Sequence, residues 1–350
     1  MTTEMKYLDA EPFTQLARTL PVIDVRSPGE YAIGHIPGAV SIPLFDNEER
    51  SIVGTMYKKT GKDAAIRKGL EIAGKHLPGY ISELDRVANG NKQIAVYCWR
   101  GGMRSRNMAW LFEVAGYDTT LLTGGYKAYR RFVRSRWSLP WKLIILGGKT
   151  GSGKSVLLNK LKAMGEQVID LEGLANHRGS AFGHIGLPEQ PTNETFENNL
   201  WELWHNLDPN RWIWLEDESM NIGRVVIPPP LFEAMRVAPV IFLDIPKEER
   251  ILHLIKEYAI LDKPELAAAI GRIEKRLGGQ NVKNALEALR QNDFETVADI
   301  TLLYYDKAYL IGVSRRDPGK VFNLSGSISN PEKLVIQLKA FLKEIADKIL

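Results

Sequence analysis

The feature that most constrains the fold is a glycine-rich loop, Gly148-Lys149-Thr150-Gly151-Ser152-Gly153-Lys154-Ser155. It follows a predicted strand, Lys142–Leu146, and opens a predicted helix, Lys154–Met164, which Gly165 ends. Glycines let backbone N–H groups turn towards phosphate oxygens, and the positive end of the helix faces the same point. Lys154 adds a mobile charge and Ser155 a hydroxyl that can hold magnesium. The pattern predicts an α/β domain whose phosphate-binding residues are Gly148, Gly151, Ser152, Gly153, Lys154 and Ser155. The ligand is either a nucleotide or another diphosphate.

Acidic residues are expected beside this loop, at the end of a neighbouring strand. The predicted strand Trp212–Leu215 is followed by Glu216, Asp217 and Glu218, and Asp170 ends another predicted strand, Gln167–Asp170. Carboxylates in such positions hold the magnesium of many phosphate-binding loops. We therefore take Glu216, Asp217 and Asp170 as possible acidic or metal-binding residues. The alternative is that they are exposed strand ends, and the sequence does not identify a metal.

The rest of the chain indicates two α/β domains. In the first part, short predicted strands alternate with helical stretches, as in Pro21–Val25, Gln93–Tyr97 and Thr119–Leu122. The segment Ser135–Pro140 interrupts this pattern before a new strand. We therefore predict domains at residues 1–137 and 138–350, and another buried strand at Val237–Leu243. From Lys247 onwards the second domain is predicted to be mainly helical.

Cys98 is the only cysteine, which excludes an intrachain disulfide and a cysteine-based zinc cluster. It follows the predicted strand Gln93–Tyr97 and precedes a predicted helix, Arg104–Ala115. Backbone N–H groups, a helix N-terminus and nearby arginines stabilise a thiolate and lower its pKa. The sequence thus predicts catalytic roles for Cys98 and Arg104, with the loop supported by Arg100, Gly101 and Gly102. The alternative is a buried, inert thiol.

Positive charge is concentrated in the first part of the chain. Residues 1–140 contain 20 Lys+Arg and 14 Asp+Glu, whereas the remainder contains 26 and 28. Helical spacing places four basic residues on one face, which suits a polyanion such as RNA, although a solvated face is the alternative. The possible RNA contacts on this face are Lys127, Arg130, Arg131 and Arg134. The pair His177 and Arg178 is a second possible RNA or phosphate contact, although such a pair is usually only an exposed surface feature. The chain has neither a membrane-length apolar run nor an N-terminal secretion signal, so we expect a cytoplasmic protein without membrane contact.

A family resemblance covers about residues 5–135. The string Asp24-Val25-Arg26-Ser27, with Glu30, Tyr31, Pro43 and the segment Gly34–Ala39, resembles the N-terminal motif of rhodanese domains, and Cys98 lies where they carry their reactive cysteine. Common rhodaneses have Cys-x4-Arg, whereas this loop has Cys-x5-Arg from Cys98 to Arg104. The longer loop enlarges the anion site and also resembles rhodanese-related phosphatases.

The combination of a rhodanese-like domain with a P-loop NTPase-like domain resembles the bacterial tRNA 2-selenouridine synthase family. Further strings similar to that family are Cys98–Ser105, Asn176–Gly183, Glu218-Ser219 with Asn221–Gly223, Arg276–Gly279 and Tyr304–Asp306 with Tyr309. The resemblance implies action on wobble 2-thiouridine in a tRNA anticodon stem-loop. It also implies S-geranylation from geranyl diphosphate, selenium from selenophosphate, and a possible partner enzyme that supplies selenophosphate.

The resemblance implies a role for each loop. Cys98 would handle selenium and Arg104 the phosphate part of selenophosphate, while Gly153, Lys154 and Ser155 would hold the diphosphate, with magnesium as a possible addition. Two alternatives remain from the residues alone. One is a Cys-x5-Arg phosphatase with a nucleotide-binding domain, and the other is a non-catalytic sulfur-carrier or RNA-binding module.

Overall fold

The computed structural model describes residues 5–349. Within that range the chain divides into two compact units, one ending at Trp137 and one beginning at Ser138, and residues 197–199 cluster with the first. Both units are built on parallel sheets covered by helices, which confirms the predicted α/β class.

The sheet of the first unit has, within the described residues, the parallel strand order β1-β5-β4-β2-β3. Apolar side chains such as Val96, Leu84 and Phe112 form the core of this unit. The strands are β1 (Lys6–Leu8), β2 (Val22–Asp24), β3 (Val40–Ser41), β4 (Gln93–Tyr97) and β5 (Asp118–Leu122). The helices are α1 (Ala10–Leu16), α2 (Pro28–Ile33), α3 (Asn47–Lys59), α4 (Lys62–Gly74), α5 (Leu77–Ala88), α6 (Met103–Val114) and α7 (Gly125–Arg136).

The main sheet of the second unit, in the part of the chain that is described, has the parallel order β12-β11-β6-β8-β7. The next strands along the chain, β7 and β8, lie on one side of the central β6, and the later strands β11 and β12 lie on its other side. Ligands of such sheets bind at the carboxyl ends of the strands, near the point where the strand order reverses. The strands are β6 (Leu143–Gly148), β7 (Gln167–Val168), β8 (Ile213–Glu216), the antiparallel pair β9 (Asn221–Ile222) and β10 (Val225–Val226), β11 (Val240–Asp244) and β12 (Val321–Ser325).

Helices make up most of the second unit after β11. The helix α17 packs on α8, and a separate apolar cluster joins α13, α15 and α16. The helices are α8 (Lys154–Ala163), α9 (Leu171–Ala175), α10 (Asn193–Trp204), α11 (Pro229–Val237), α12 (Lys247–Tyr258), α13 (Lys263–Arg272), α14 (Glu274–Leu277), α15 (Gly279–Arg290), α16 (Phe294–Val313) and α17 (Pro331–Ile349).

One predicted strand begins too early. The prediction placed a strand at Val237–Leu243, but Val237 is the last residue of α11 and the strand starts at Val240. The reason lies in Pro239, which has no N–H to give to a ladder, so that regular pairing begins only after it. Its carbonyl still accepts the N–H of Ile145 at 2.9 Å, which docks the turn against the central strand.

No helix among the described residues combines the length and the apolar character needed to cross a bilayer.

Candidate functional site

The Cys98 loop joins the central strand β4 to α6 and packs closely on the start of α7. The carbonyl of Cys98 accepts the N–H of Tyr126 at 2.8 Å, and the carbonyl of Trp99 accepts that of Lys127 at 3.1 Å. Gly125 has φ of +61°, and a Cβ on it would lie 2.3 Å from the carbonyl oxygen of Cys98. Glycine at this position therefore allows the loop and α7 to approach, a requirement that the sequence analysis did not identify.

The thiol of Cys98 is enclosed. Only 2% of the residue is exposed, and its Sγ lies 3.2 Å from the hydroxyl of Ser105. That hydroxyl donates in turn to the carbonyl of Gly102 at 3.2 Å. The position after β4 and before α6 is the one predicted for a reactive cysteine, but a co-substrate can reach the sulfur only if the surrounding loop opens.

Arg104, the predicted phosphate ligand of this loop, is held by a carboxylate. Its two terminal nitrogens donate to Glu30, at 2.6 Å and 3.2 Å. Burial raises the pKa of Glu30, but the hydrogen bond and charge of Arg104 outweigh it, and the pKa is lowered overall. Glu30 also completes the capping box of α2 with Ser27. Arg100 is exposed at the loop surface.

A buried ion pair lies next to this loop at the end of β2. Arg26 is fully buried and binds both carboxylate oxygens of Asp24, and it also donates to the carbonyl of Gly34 at 2.6 Å. Its guanidinium carbon lies 4.0 Å from the ring centroid of Tyr126. Buried charges are retained when they are paired and hydrogen-bonded, so this pair fixes the segment after β2.

The predicted basic face of α7 is only partly available. Lys127, Arg131 and Arg134 are exposed, whereas Tyr129 and Val133 are buried on the opposite face. The fourth member of the predicted set, Arg130, has only 12% of its side chain exposed and is held in an ion pair.

The phosphate-binding loop has the predicted position between β6 and α8. Gly151 and Gly153 have φ of +82° and +74°, and a Cβ on Gly153 would lie 2.2 Å from a side-chain carbon of Ile328. The Lys154 ammonium donates to the carbonyl of Gly148 at 3.0 Å, so it is folded back over the loop. Ser152 is fully buried, and its hydroxyl has no hydrogen-bond partner among the described residues.

Acidic side chains lie close to this loop. The Glu216 carboxylate accepts the N–H of Glu172 at 2.7 Å, and the Ser155 hydroxyl donates to Glu172 at 3.3 Å. Burial, with the charges of Glu172 and Asp170, raises the pKa of Glu216 well above its ordinary value. Burial, with the charges of Glu172 and Glu216, does the same to the pKa of Glu218. Burial and mutual repulsion therefore favour the protonated form of carboxyl groups in this cluster.

Glu172 was missed by the sequence analysis because it lies in a short helix with no motif of its own. Asp170, which was predicted as a possible ligand, caps that helix by accepting the N–H of Gly173 at 2.7 Å. Among the described residues, no group of three or more His, Cys, Asp or Glu side chains is arranged to hold a metal ion.

The carboxylate of Asp217 is held by side chains of the protein itself. It accepts from Arg316 at 2.5 Å and from the Tyr309 hydroxyl at 2.8 Å, and Arg236 lies 3.7 Å away. The Tyr309 hydroxyl accepts the N–H of Gly148 at 2.8 Å, so Asp217 acts on the phosphate loop through this tyrosine. Tyr309 belongs to one of the segments that resemble the family in sequence, but its contact with the phosphate loop is evident only from the structure.

Arg250 supports the loop from the other side. It donates to both carboxylate oxygens of Asp306 at 2.8 Å, and to the carbonyl of Thr150 at 3.0 Å. Planar guanidinium groups suit such two-point contacts with a carboxylate. The α12 and α16 helices, which carry these two residues, are thereby tied to the loop.

A cavity of about 790 Å³ opens above the phosphate loop. Its walls include Asp170, Glu172 and Glu218 of the acidic cluster and several basic side chains, which are Lys154, Arg178, Arg236, His253 and Arg315. A volume of this order accommodates a diphosphate together with part of a larger substrate. His177, the other predicted RNA contact of this region, is buried, and burial together with His184 and Arg272 lowers its pKa.

A cysteine loop on one parallel sheet and a phosphate loop on another define a protein with a rhodanese-like domain and a P-loop domain. Family comparison agrees: residues 9–132 match the rhodanese-like domain, and residues 141–328 match the tRNA 2-selenouridine synthase AAA domain. The chain belongs to the tRNA 2-selenouridine synthase family.

Full-length relatives bear the name of that family. The tRNA 2-selenouridine synthase of Nitrosomonas eutropha is 34% identical over 371 residues, which cover 90% of this chain and 94% of the relative. That of Sulfurovum sp. is 35% identical and covers 93% of this chain and 94% of the relative. That of Shewanella frigidimarina is 36% identical, over a match that covers 88% of this chain and 92% of the relative.

Proposed function

We propose that this protein converts wobble 2-thiouridine of tRNA to 2-selenouridine, by S-geranylation followed by selenium transfer from selenophosphate. The observation that carries the proposal is the presence, in one chain of this family, of a cysteine loop and of a cavity above the phosphate loop that basic and acidic side chains line together. The division at 137/138 into a selenium-handling and a diphosphate-handling domain is part of the proposal.

The two steps follow from leaving-group chemistry. The sulfur of 2-thiouridine attacks the first carbon of geranyl diphosphate, a C–S bond forms, and the C–O bond to diphosphate breaks. Alkylation turns the poorly leaving thiocarbonyl sulfur into a geranylthio group that can leave as geranylthiolate, and the base gives up its N3 proton. Selenium of selenophosphate then attacks the ring carbon and expels that thiolate, which takes up a proton. Water finally cleaves the P–Se bond and releases phosphate.

The phosphate-loop cavity suits the first step. Backbone N–H groups of the loop, with Lys154, would bind the departing diphosphate, and Arg236 and Arg315 line the same cavity. Ser155 and Glu172 present oxygen atoms of the kind that magnesium prefers, and that ion would neutralise diphosphate charge. Glu216 is buried and does not line the cavity, whereas Glu218 lines it and offers a further carboxylate oxygen.

An apolar pocket adjoins this cavity and suits the geranyl chain. Thr150, Ser180, Leu254 and Tyr305 line both spaces. The inner walls of the pocket are apolar, and they are Phe182, Leu266, Phe294, Val297, Ala298 and Leu302. Its volume is only about 40 Å³, so a ten-carbon chain would enter after these side chains rearrange. Burial of the chain would then contribute about 0.8 kcal/mol per CH₂ group.

The Cys98 loop suits the second step. Cys98 would position selenium, and the N–H groups at the start of α6 would bind the phosphate part of selenophosphate. Arg104 would join them after its bond to Glu30 breaks. The Cys98 thiol is enclosed, so the loop must also open before selenophosphate can reach the sulfur. Exposed Lys127, Arg131 and Arg134 would contact the tRNA backbone, and Arg178 would do so from the cavity. A tRNA substrate implies a cytoplasmic location, and a selenophosphate-supplying enzyme is the expected partner.

The experiment that tests this function is mass spectrometry of nucleosides from tRNA that carries 2-thiouridine. Incubation with geranyl diphosphate should yield S-geranyl-2-thiouridine, and later addition of selenophosphate should convert it to 2-selenouridine. Cys98→Ala should accumulate the geranylated nucleoside, whereas the exposed control Ser82→Ala should complete both steps. Absence of either product with the wild-type protein would contradict the proposal, and hydrolysis of an aryl phosphate at Cys98 would favour the phosphatase alternative.

A further inference from the structure

A second open space in the P-loop unit lies between α14, α15 and α16. This groove, which we call the Arg276 groove, has a volume of about 490 Å³. Its polar walls are Arg276, Asn281, Tyr304 and Lys307. Among the described residues that line it there is no carboxylate, so it presents positive charge, an amide and an aromatic ring together.

The cation and the aromatic ring of the groove are fixed relative to one another. Arg276 donates to the Tyr304 hydroxyl at 2.7 Å, and its guanidinium carbon lies 5.8 Å from the ring centroid. The Tyr304 ring also packs against Tyr305, with centroids 4.9 Å apart. A guanidinium has five N–H groups. Arg276 can therefore keep its bond to Tyr304 while it binds an anion.

Two apolar side chains of α16 flank Tyr304 and Lys307. Leu303 is 53% exposed and Ile311 is 46% exposed, and both line the groove. An aromatic ring with exposed apolar neighbours suits the flat face of a nucleobase, and adjacent cations suit its phosphate. The volume of the groove is also that of a small ligand site.

The groove is continuous with the phosphate-loop cavity. Tyr304 and Ala308 of α16 line both spaces. A nucleotide in the groove would therefore lie next to any base that enters the cavity. A protein partner would cover the exposed apolar residues but would bring no phosphate to Arg276 and Lys307. RNA supplies both a base and a phosphate, so it matches the groove better.

We propose that the Arg276 groove binds a nucleotide of the single-stranded RNA loop that flanks the modified base, with its base on Tyr304 and its phosphate on Arg276 and Lys307. This inference rests on the proposed function, because it assumes that the cavity receives an RNA base. It adds an RNA contact in the second unit that is separate from Arg178 and from the basic face of α7.

The test is the binding of a fluorescein-labelled RNA hairpin with a seven-nucleotide loop to the full chain, measured by fluorescence anisotropy at several salt concentrations. The double variant Arg276→Ala/Lys307→Ala should bind about tenfold or more weakly, and its log–log salt slope should fall by about one to two. The control Lys263→Ala/Arg290→Ala, which removes two exposed charges elsewhere on α13 and α15, should bind as the wild type does. Equal affinities and slopes for all three proteins would overturn the proposal.

A second variant separates stacking from charge. Tyr304→Ala should weaken binding of the hairpin about fivefold or more, while binding of a fully paired RNA duplex changes less. Equal loss for the hairpin and the duplex would overturn the proposal, because the groove would then contribute only charge. The proposal would also be overturned if Tyr304→Ala bound the hairpin as the wild type does but lost the binding of another protein, because the groove would then be a protein-binding site.

Failure of the groove and failure of the proposed function give different results. If wild-type protein forms 2-selenouridine but Arg276→Ala/Lys307→Ala binds the hairpin normally, only the groove is wrong. If hairpin binding depends on the groove but no selenouridine forms, only the proposed reaction is wrong. Binding of inorganic pyrophosphate should be unchanged in the double variant, and a loss there would show that the variant disturbs the phosphate loop.

Discussion

The carboxylate of Glu30 holds the guanidinium of Arg104 through both of its oxygens, at 2.6 Å and 3.2 Å. Glu30 belongs to the capping box of α2, and Arg104 to the first turn of α6. The pair thus joins the rhodanese-like N-terminal motif to the cysteine loop. It also sets the charge of that loop, because the Arg104 guanidinium is paired with a carboxylate until an anion competes for it.

Glu30→Gln should weaken this connection while it preserves the cap, since glutamine also completes a capping box. We expect a loss of about 1–2 kcal/mol in the free energy of unfolding at pH 7. Because the pKa of Glu30 is lowered in the folded protein, the stabilisation is present above the unfolded pKa near 4.5 and is lost as pH falls through the folded value.

The difference between wild type and Glu30→Gln should therefore shrink below about pH 4.5, as measured by urea denaturation across pH. The control Glu83→Gln breaks an exposed pair with Arg86 and should change stability by less than about 0.5 kcal/mol. A difference that stays constant down to pH 3 would show that the Arg104 pair does not carry the effect.

Lys154 and Lys160 offer a matched pair on α8. Lys154 lines the cavity and lies over the phosphate loop, whereas Lys160 is bound to Glu332 outside that lining. Lys154→Ala should weaken binding of inorganic pyrophosphate about tenfold to a hundredfold, as expected for a charged hydrogen bond of about 1.5–3 kcal/mol. Isothermal titration calorimetry measures this directly. Lys160→Ala should leave the affinity unchanged, and equal losses in both variants would indicate general electrostatics instead of a specific contact.

The two loops were predictable because their chemistry is written in consecutive residues. One loop combines glycines with a cysteine and the other combines glycines with a lysine, and the structure places these loops after β4 and β6. Their surroundings depend on residues far away in sequence. Tyr309 reaches Gly148 across 161 positions, and Arg250 reaches Thr150 across 100. No local pattern can indicate such pairs.

Local patterns missed one strand in the C-terminal region, because a distant neighbour supplies its pairing. The region after Lys247 was predicted to be mainly helical, and most of it is, but β12 lies within it and pairs in parallel with β11. Residues Val321–Ser325 form an edge strand that is only partly buried, so the alternation that marks a strand is weak. Neighbouring β11 supplies the hydrogen bonds that fix this segment as a strand.

Arg250 and Asp306 should contribute strongly to the stability of the P-loop unit. The Arg250 side chain is almost fully buried, and lysine cannot make its two parallel bonds to Asp306. Arg250→Lys should cost about 1–3 kcal/mol, and a double-mutant cycle with Asp306→Asn should give a coupling above about 1 kcal/mol. The control Arg290→Lys changes an exposed pair with Glu287 and should be nearly neutral. Additive effects of Arg250→Lys and Asp306→Asn would contradict a direct interaction.

The buried carboxyl group of Glu216 predicts an unusual dependence of stability on pH. Its pKa is raised in the folded protein, by burial first and then by the charges of Glu172 and Asp170. The unfolded chain releases the proton above about pH 4.5, whereas the folded protein keeps it. Stability linked to this group is therefore complete below pH 4.5 and declines as pH rises towards the folded pKa.

Glu216→Gln removes the ionisable proton but keeps an oxygen that can accept the N–H of Glu172. We expect the melting temperature of this variant to equal or exceed that of the wild type at pH 8, and to approach or fall below it near pH 5. Thermal unfolding at half-unit pH steps measures the two curves, with the exposed Glu189→Gln as the control that should follow the wild type. Parallel curves for Glu216→Gln and wild type would mean that Glu216 is ionised in the folded protein, so that the proton of the cluster resides on Glu218 or Glu172.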